Sequence, residues 1–274
     1  MLARALDVVF PRRCAGCGDG PWPFCPACSA ALVALGRPWC DRCGRPSRSP
    51  VSSCRDCPPE PVTSARAPFL FDGPARRAVH RLKFSGWRDV AAALADAIVA
   101  CDNMPPVQVI TWVPLARRRR AERGYDQARA LAVGLGHRTG MPVARLLRRS
   151  RSTGPQARRS GAERRDAMRG SFEATREAPE RILLVDDVLT TGATAAASAE
   201  ALAAAGARRI HLVTAARSFH DPVPTLRLRG ARAYPAVGPR PGLWLPGEPP
   251  RKSMPAAGET THVRRPLVAE HGAV

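Results

Sequence analysis

Residues 181–194 have the sequence Arg181-Ile-Leu-Leu-Val-Asp-Asp-Val-Leu-Thr-Thr-Gly-Ala-Thr194, and no other stretch of the chain indicates its architecture as sharply. Ile182 to Val185 form a short apolar run, which is typical of a strand buried on both faces of a parallel sheet. The Ala-rich residues that follow, from about Ala195 to Ala205, predict a helix that ends at Gly206. The stretch therefore predicts a buried strand, a turn and a helix.

The turn between this strand and this helix is small and rich in hydroxyl groups. Free backbone N–H groups at a helix start, together with the helix dipole, favour a bound phosphate. Gly192 lets the backbone approach the ligand closely, and the threonines add hydroxyl donors. The alternative is an ordinary strand–turn–helix in which Thr194 caps the helix. The predicted phosphate-binding residues are Thr190, Thr191, Gly192, Ala193 and Thr194.

Two adjacent acids, Asp186 and Asp187, end the predicted strand just before this turn. Their carboxylates would repel a bare phosphate unless a neutral or cationic group lay between them and it. A ribose diol with Mg²⁺ nearby fits that position, because carboxylates accept hydrogen bonds from hydroxyl groups. The acid pair and the turn together therefore predict a site for a sugar phosphate.

The composition describes a basic chain of moderate size. Its 274 residues are 45% apolar, which is enough for one good-sized core and a small appendage. The formal net charge of +20 and the pI near 11.3 predict attraction to phosphates, nucleic acid or anionic membrane surfaces. The alternative is a compositional bias, since arginine is abundant along the whole chain.

No part of the sequence predicts a membrane span, because a run of about 18 uninterrupted apolar residues does not occur. Near the N-terminus, Arg4 and Asp7 lie where a secretion signal needs an apolar core. We therefore expect a cytoplasmic protein. Whether it forms a homo-oligomer stays open at this point.

Eight of the nine cysteines form four C-x-x-C pairs within a short N-terminal stretch. Two such pairs complete a tetrahedral four-thiolate site, so the stretch predicts one or two structural zinc ions. Sequential pairing is the simplest assignment, and interleaved pairing stays open. Cys101 stands apart, and we expect a small buried hydrophobic residue there. The predicted zinc ligands are Cys14, Cys17, Cys25, Cys28, Cys40, Cys43, Cys54 and Cys57.

The rest of the chain alternates between strand and helix patterns, which predicts an α/β fold with its site at the carboxyl ends of parallel strands. Predicted strands cover residues 67–72, 107–114, 143–147, 181–187 and 209–215, and predicted helices cover 75–84, 90–100, 126–138 and 195–205. Residues 115–124, including Arg117 to Arg120, and the polar residues 148–170 are predicted loops. The predicted domains are a zinc-binding module at 1–60, an α/β domain at 61–217 and a disordered tail at 218–274.

These features together resemble the ComF family, in which a cysteine-rich zinc module precedes a type I phosphoribosyltransferase domain. The resemblance covers roughly residues 10–217. Besides the C-x-x-C pairs and the acid-pair turn, it rests on the segment around Lys83, Val113-Pro-Leu115, Arg123-Gly-Tyr-Asp-Gln127 and Thr153-x-x-Gln156. It implies a type I phosphoribosyltransferase-like parallel sheet flanked by helices, and a site for phosphoribosyl pyrophosphate (PRPP).

The resemblance also implies roles for the site residues. Asp186 and Asp187 would hold the ribose diol, and residues 190–194 would hold the 5′-phosphate. Mg²⁺, bound mostly through the substrate's oxygens and water, would bridge the diol and the pyrophosphate. Arg123 is the leading candidate for a pyrophosphate contact. Lys83 has two interpretations, a residue that reaches the site and an exposed helix lysine, and the second is slightly favoured.

Two functions follow from the resemblance, which implies a link to DNA uptake in natural competence. The first is a phosphoribosyltransferase that binds PRPP with Mg²⁺ and transfers ribose 5-phosphate to an acceptor that the sequence does not identify. The second is a non-catalytic adaptor that uses the same fold to bind single-stranded DNA through phosphate contacts. Aromatic residues make up only 5% of the chain, so platforms for base stacking are sparse.

Overall fold

A parallel β-sheet forms the centre of the structure, a computed structural model that describes residues 12–101, 105–150, 170–219 and 221. Within these residues the sheet has the strand order β1-β7-β6-β3, and the short β2 also pairs with β7. A separate antiparallel pair is formed by β4 and β5. The strands are β1 Val62–Arg66, β2 Phe69–Leu70, β3 Val109–Trp112, β4 Leu147–Arg149, β5 Phe172–Ala174, β6 Arg181–Leu189 and β7 Arg209–Arg217.

Both faces of the sheet are covered, as the continuous apolar run in β6 predicts. Leu183 and Val185 point into a core shared with four of the helices, whereas Ile182 and Leu184 point into a second core on the opposite face. All four side chains are fully buried. The helices are α1 Pro26–Ala30, α2 Gly73–Phe84, α3 Val90–Cys101, α4 Arg117–Arg123, α5 Gln127–Thr139 and α6 Ala193–Ala204.

The helices lie in two layers, one on each face of the sheet. Helices α2, α3 and α5 pack in the first core, and their small residues, such as Ala78 and Ala132, allow close approach to the sheet. Helix α6 packs in the second core together with β4 and β5. The predicted fold class, a mostly parallel sheet flanked by helices and preceded by a small cysteine-rich module, is confirmed.

Several predicted elements differ from the structure. Residues 117–123 form a helix rather than a loop, and Gly124 ends it with a positive φ of 73°. The strand predicted at 143–147 begins only at Leu147, and Val143 makes an isolated bridge to Ile110. Strand β1 was not predicted, because its mixed sequence has no clean alternation. The motif Thr153-x-x-Gln156 lies outside the described residues, as does nearly all of the predicted tail.

Hydrogen bonds from two arginines attach the cysteine-rich module to the α/β part of the chain. Arg217, at the end of β7, is 2% exposed and donates hydrogen bonds to the backbone carbonyls of Cys43 and Asp56. Arg81 on α2 donates to the carbonyl of Ala15 at 2.6 Å. Arginine suits this task because its guanidinium group offers several donors in a fixed geometry. Among the described helices, none combines the length and the hydrophobicity that a membrane crossing requires.

Candidate functional site

The acid pair lies at the carboxyl end of β6, where parallel sheets carry their ligands. Asp187 is buried, and its carboxylate has two partners from different helices. Lys83 Nζ on α2 lies 2.8 Å from Asp187 Oδ1, and Gln127 Nε2 on α5 donates to Asp187 Oδ2 at 2.8 Å. The expectation that Lys83 is an exposed helix lysine is wrong, because its side chain is only 20% exposed and reaches the site.

Asp186 faces a different environment from its neighbour. Its Oδ1 accepts the backbone N–H of Asp187 at 2.8 Å, and part of its surface stays open to solvent. Desolvation in the site and the charge of Asp187 raise the pKa of Asp186 to about 8, although Lys83 opposes the shift. Asp187 is thus held by a cation and an amide, whereas Asp186 is free to receive a ligand.

The threonine-rich turn begins helix α6, as the sequence predicts. Gly192 is the N-cap residue with a positive φ of 76°, and no side chain makes a capping hydrogen bond. The alternative in which Thr194 caps the helix is therefore wrong. The turn and Asp186 line one small hollow of about 40 Å³. A hollow formed by a helix start and hydroxyl groups suits a phosphate.

Gln127 supplies a further sign that a ligand belongs between the acid pair and helix α5. The residue is only 6% exposed, and its Nε2 donates to Asp187. Among the described residues, however, Gln127 Oε1 has no hydrogen-bond partner. Buried polar atoms without partners are uncommon, so this acceptor suits a ligand hydroxyl or a water molecule. The residues present therefore fit a ribose diol with its associated Mg²⁺.

Arg123, the predicted pyrophosphate contact, does not touch the acid pair in the described contacts. Its guanidinium group stacks 4.7 Å from the ring centroid of Phe84, the residue that follows Lys83. Arg117 to Arg120 form the exposed first part of α4. Sequence reasoning assigned no role to Gln127, although the residue belongs to the Arg123–Gln127 motif that carried the resemblance.

The cysteines converge in two groups of four, and the pairing is sequential. Within each group the sulfur atoms all lie within 4.8 Å of one another. The distances of 3.7 Å between Cys17 and Cys25 and 3.6 Å between Cys40 and Cys57 suit one shared ion, because zinc–sulfur bonds of about 2.3 Å place tetrahedral sulfurs about 3.8 Å apart. The first group contains Cys14, Cys17, Cys25 and Cys28, and the second contains Cys40, Cys43, Cys54 and Cys57.

The electrostatics of the first group favour a bound cation. The backbone N–H groups of Asp19 and Gly20 lower the pKa of the Cys17 thiol to about 6. Burial and the neighbouring thiols raise the pKa of Cys28 to about 12, so a fourth thiolate needs a positive charge nearby. Four thiolates leave no open position for water, so both sites are suited to structural rather than catalytic zinc.

The residues that directly follow the second cysteine group pack against the threonine-rich turn. Pro58 and Pro59, which follow the last cysteine of the group, cover Gly192 so closely that a Cβ there would lie 3.3 Å from Pro58 Cβ. Arg42 fixes this cover by donating to the Pro58 carbonyl at 3.0 Å. Gly192 is therefore needed both for its positive φ and for the space that the prolines leave.

Replacing Gly192 by alanine is expected to destabilise the fold more than the same change at Gly140. Both glycines have a positive φ near 70°, so each substitution costs about 1–2 kcal/mol in backbone strain. A Cβ at Gly140 meets nothing within 4 Å, whereas one at Gly192 meets Pro58 and Pro59. We expect the overpacking at Gly192 to add about 1–3 kcal/mol, measured by urea unfolding. Equal losses in the two variants would contradict the close cover of the turn.

The fold and the site define a class of protein. This is an α/β protein with an acid pair and a threonine-rich turn at the carboxyl edge of a parallel sheet, joined to a double four-cysteine zinc module. The chain belongs to the ComF family, whose curated members include DNA utilization and competence proteins. The suspected family is thus confirmed.

The comparisons behind this assignment cover most of the relatives' lengths. The chain is 30% identical over 207 residues to "DNA utilization protein YhgH" of Salmonella typhi, an alignment with 70% of this chain and 88% of that protein. It is 28% identical over 183 residues to "Competence protein ComFC" of Bacillus subtilis, with 62% and 73% covered. Residues 5–58 match the double zinc ribbon domain. A solved structure of glutamine PRPP amidotransferase from B. subtilis aligns at 23% identity and a TM-score of 0.36. The alignment covers 50% of this chain and 30% of the amidotransferase chain.

Proposed function

We propose that the chain binds PRPP with Mg²⁺ and transfers ribose 5-phosphate to an acceptor, in a role linked to DNA use. The observation that carries this proposal is the acid pair at the threonine-rich turn, with Asp187 fixed by Lys83 and Gln127. The names of the relatives support the link to DNA use and competence. The division into a zinc module at 1–60, an α/β domain at 61–217 and a tail at 218–274 is part of the proposal.

Each group at the site has one task in this mechanism. Asp186 and Asp187 accept hydrogen bonds from the ribose hydroxyls, and the turn at 190–194 holds the 5′-phosphate with backbone N–H groups. Lys83 holds the Asp187 carboxylate in place through their ion pair, and Arg123 is the cation proposed for the pyrophosphate. Bound Mg²⁺ would supply charge neutralisation between the diol and the pyrophosphate. The acceptor forms its bond to C1 while the bond from C1 to pyrophosphate breaks, and the electron pair leaves with pyrophosphate.

Calorimetric titration of the zinc-loaded protein with PRPP and Mg²⁺ tests the proposal directly. Micromolar binding that requires Mg²⁺ is the expected result. Ribose 5-phosphate, which lacks the pyrophosphate, serves as the matched ligand and is expected to bind more weakly. A protein with full zinc content that shows no heat of binding with PRPP would refute the proposed site.

The affinity for PRPP with Mg²⁺ is expected to rise with pH. Asp186 carries a proton below its raised pKa of about 8, and the diol and metal complex favours the ionised carboxylate. Below this pKa the protein must release the proton on binding, so the affinity falls by up to about tenfold per pH unit. Titrations from about pH 6.5 to about pH 8.5 stay above the phosphate's own pKa near 6. Asp186→Asn should remove the dependence, and an unchanged profile in that variant would assign it to another group.

A second candidate function is single-stranded DNA binding without catalysis, which the net charge of +20 favours. Phosphate contacts release counterions, so the affinity for a single-stranded oligonucleotide should fall steeply between about 50 mM and about 200 mM salt. Fluorescence anisotropy at several salt concentrations measures this slope. A flat response would remove the electrostatic explanation of DNA binding.

A further inference from the structure

A large cavity lies next to the acid pair, and the residues that hold PRPP in the proposed function do not fill it. Its volume is about 1240 Å³, above the roughly 300–1,000 Å³ of a site for a drug-sized ligand. Its walls come from the end of β3 and the turn that follows, from α4 and α5, and from β4 and β5. A pyrophosphate group would leave most of this space open.

The cavity carries far more positive charge than one pyrophosphate needs. Seven arginines line it, against two carboxylates. Both carboxylates already have partners, because Asp126 accepts the backbone N–H of Leu115 at 3.1 Å and Glu173 forms an ion pair with Arg148. Arginines held around one cavity repel each other unless an anion lies between them. A pyrophosphate neutralised by Mg²⁺ does not balance this excess, so the cavity suits a second ligand that carries phosphate.

Two of these arginines also lie over aromatic rings. The guanidinium group of Arg129 lies 5.9 Å from the ring centroid of Trp112, and that of Arg149 lies 5.3 Å from that of Phe172. A guanidinium plane supported by an aromatic ring is a surface on which a nucleobase stacks. The cavity thus combines two features that suit a nucleotide. Its positive charge suits the phosphate, and its guanidinium groups over aromatic rings suit stacking with the base.

The cavity is within electrostatic reach of the proposed reaction centre. Burial and Arg119 lower the pKa of Arg149, whereas the carboxylate of Asp186 raises it. Trp112 on the wall pairs with Val185, the residue before Asp186. Asp126 on the wall directly precedes Gln127, which donates to Asp187 at 2.8 Å. A ligand bound along this wall is placed beside the ribose rather than on a remote surface.

We propose that the arginine-lined cavity binds the acceptor of the phosphoribosyl group, and that this acceptor is a nucleotide, free or within a nucleic acid strand. The assignment rests on the proposed function, since an acceptor requires PRPP. In the transfer, a nitrogen of the acceptor bonds to C1 of the ribose as the bond to pyrophosphate breaks. The electron pair leaves with pyrophosphate, and the proton of the nitrogen passes to water.

The test uses the full-length zinc-loaded protein with PRPP and Mg²⁺ present. Adenosine 5′-monophosphate, adenosine and a single-stranded oligothymidylate are titrated in turn. The cavity variant is Arg129→Ala with Arg145→Ala, both exposed positions on the wall. The matched control, Arg176→Ala with Arg208→Ala, removes the same charge from exposed positions outside the cavity.

We expect the monophosphate and the oligonucleotide to bind and adenosine not to bind. The cavity variant should bind the two phosphate ligands at least about tenfold more weakly, with a salt slope reduced by about two, while the control behaves as wild type. Binding of the oligonucleotide much tighter than the monophosphate identifies a strand as the source, and the reverse order identifies a free nucleotide.

Equal losses in the cavity variant and the control would overturn the proposal, as would adenosine binding as tightly as its monophosphate. The PRPP titration of the wild-type protein distinguishes failure of the proposed function from failure of the acceptor assignment. Without PRPP binding the proposed function fails, and the acceptor role of the cavity fails with it. With PRPP binding intact, failure of the nucleotide titrations refutes the acceptor assignment alone.

Discussion

Replacing Asp186 and Asp187 together by asparagine is expected to abolish measurable PRPP binding while leaving the zinc content unchanged. Hydrogen bonds to a charged acceptor contribute about 1.5–3 kcal/mol each. Losing one from each carboxylate therefore lowers the affinity at least about a hundredfold, since every 1.4 kcal/mol is about tenfold. Titration calorimetry with PRPP and Mg²⁺ measures the loss. Asparagine keeps the shape of each side chain, so the change acts mainly through charge.

The matched control for this variant removes two carboxylates elsewhere. Glu177→Gln with Glu200→Gln changes the net charge by the same amount at exposed positions. We expect this control to bind PRPP as the wild-type protein does. Because Asp187→Asn leaves Lys83 without its carboxylate partner, thermal unfolding must show that the double variant is folded. Undiminished PRPP binding in a folded Asp186→Asn, Asp187→Asn protein would disprove the site assignment.

The sequence predicts the centre of the fold well because the strongest signals there are periodic and local. Four consecutive apolar residues in β6 fix a strand buried on both faces, and the structure places alternate residues in two cores. Helix α6 begins within two residues of its predicted start, because a small-residue turn and an alanine run leave little choice. The C-x-x-C spacing likewise predicts two groups of four thiolates, which the structure brings together.

The partners of the acid pair were harder to foresee because they come from distant parts of the chain. Lys83 lies about a hundred positions before Asp187, on a helix whose pattern alone predicts an exposed lysine. Gln127 begins helix α5 and has no distinctive sequence signal beyond its place in the Arg123–Gln127 motif. Only the order of strands in the sheet brings these two side chains to one carboxylate. Local pattern finds the threonine-rich turn, whereas topology determines what surrounds it.

Helix α4 is a second feature that the local sequence pattern does not predict. Residues 117–123 have arginines on every side and bury none of their side chains, so no apolar stripe marks a helix. Arginine nevertheless has a high helix propensity, and Gly124 supplies the positive φ that ends the helix. The result matters for function, because this helix forms one wall of the arginine-lined cavity.

Removing zinc is expected to unfold the N-terminal module and to give the largest stability loss of any single treatment. The wild-type protein should carry two zinc ions, one for each group of four cysteines. A structural zinc contributes roughly 10–16 kcal/mol to a small metal-folded domain, which exceeds the whole stability of many proteins. Treatment with a strong chelator, followed by circular dichroism and limited proteolysis of residues 12–58, measures the loss. Zinc added back should restore the protected fragment.

Variants of single cysteines distinguish the two zinc sites and test whether zinc supports the proposed PRPP site. Cys17→Ser should leave one zinc ion in the second group, whereas Cys57→Ser should leave one in the first. Cys101→Ser is the control, because it lies outside both groups and should retain two. Pro58 and Pro59 follow Cys57 and cover Gly192, so losing the second zinc should weaken PRPP binding more than losing the first. Equal PRPP affinity in Cys17→Ser and Cys57→Ser would show that Pro58 and Pro59 cover Gly192 without the help of the second zinc ion. A single zinc ion in the wild-type protein would overturn the assignment of two zinc sites.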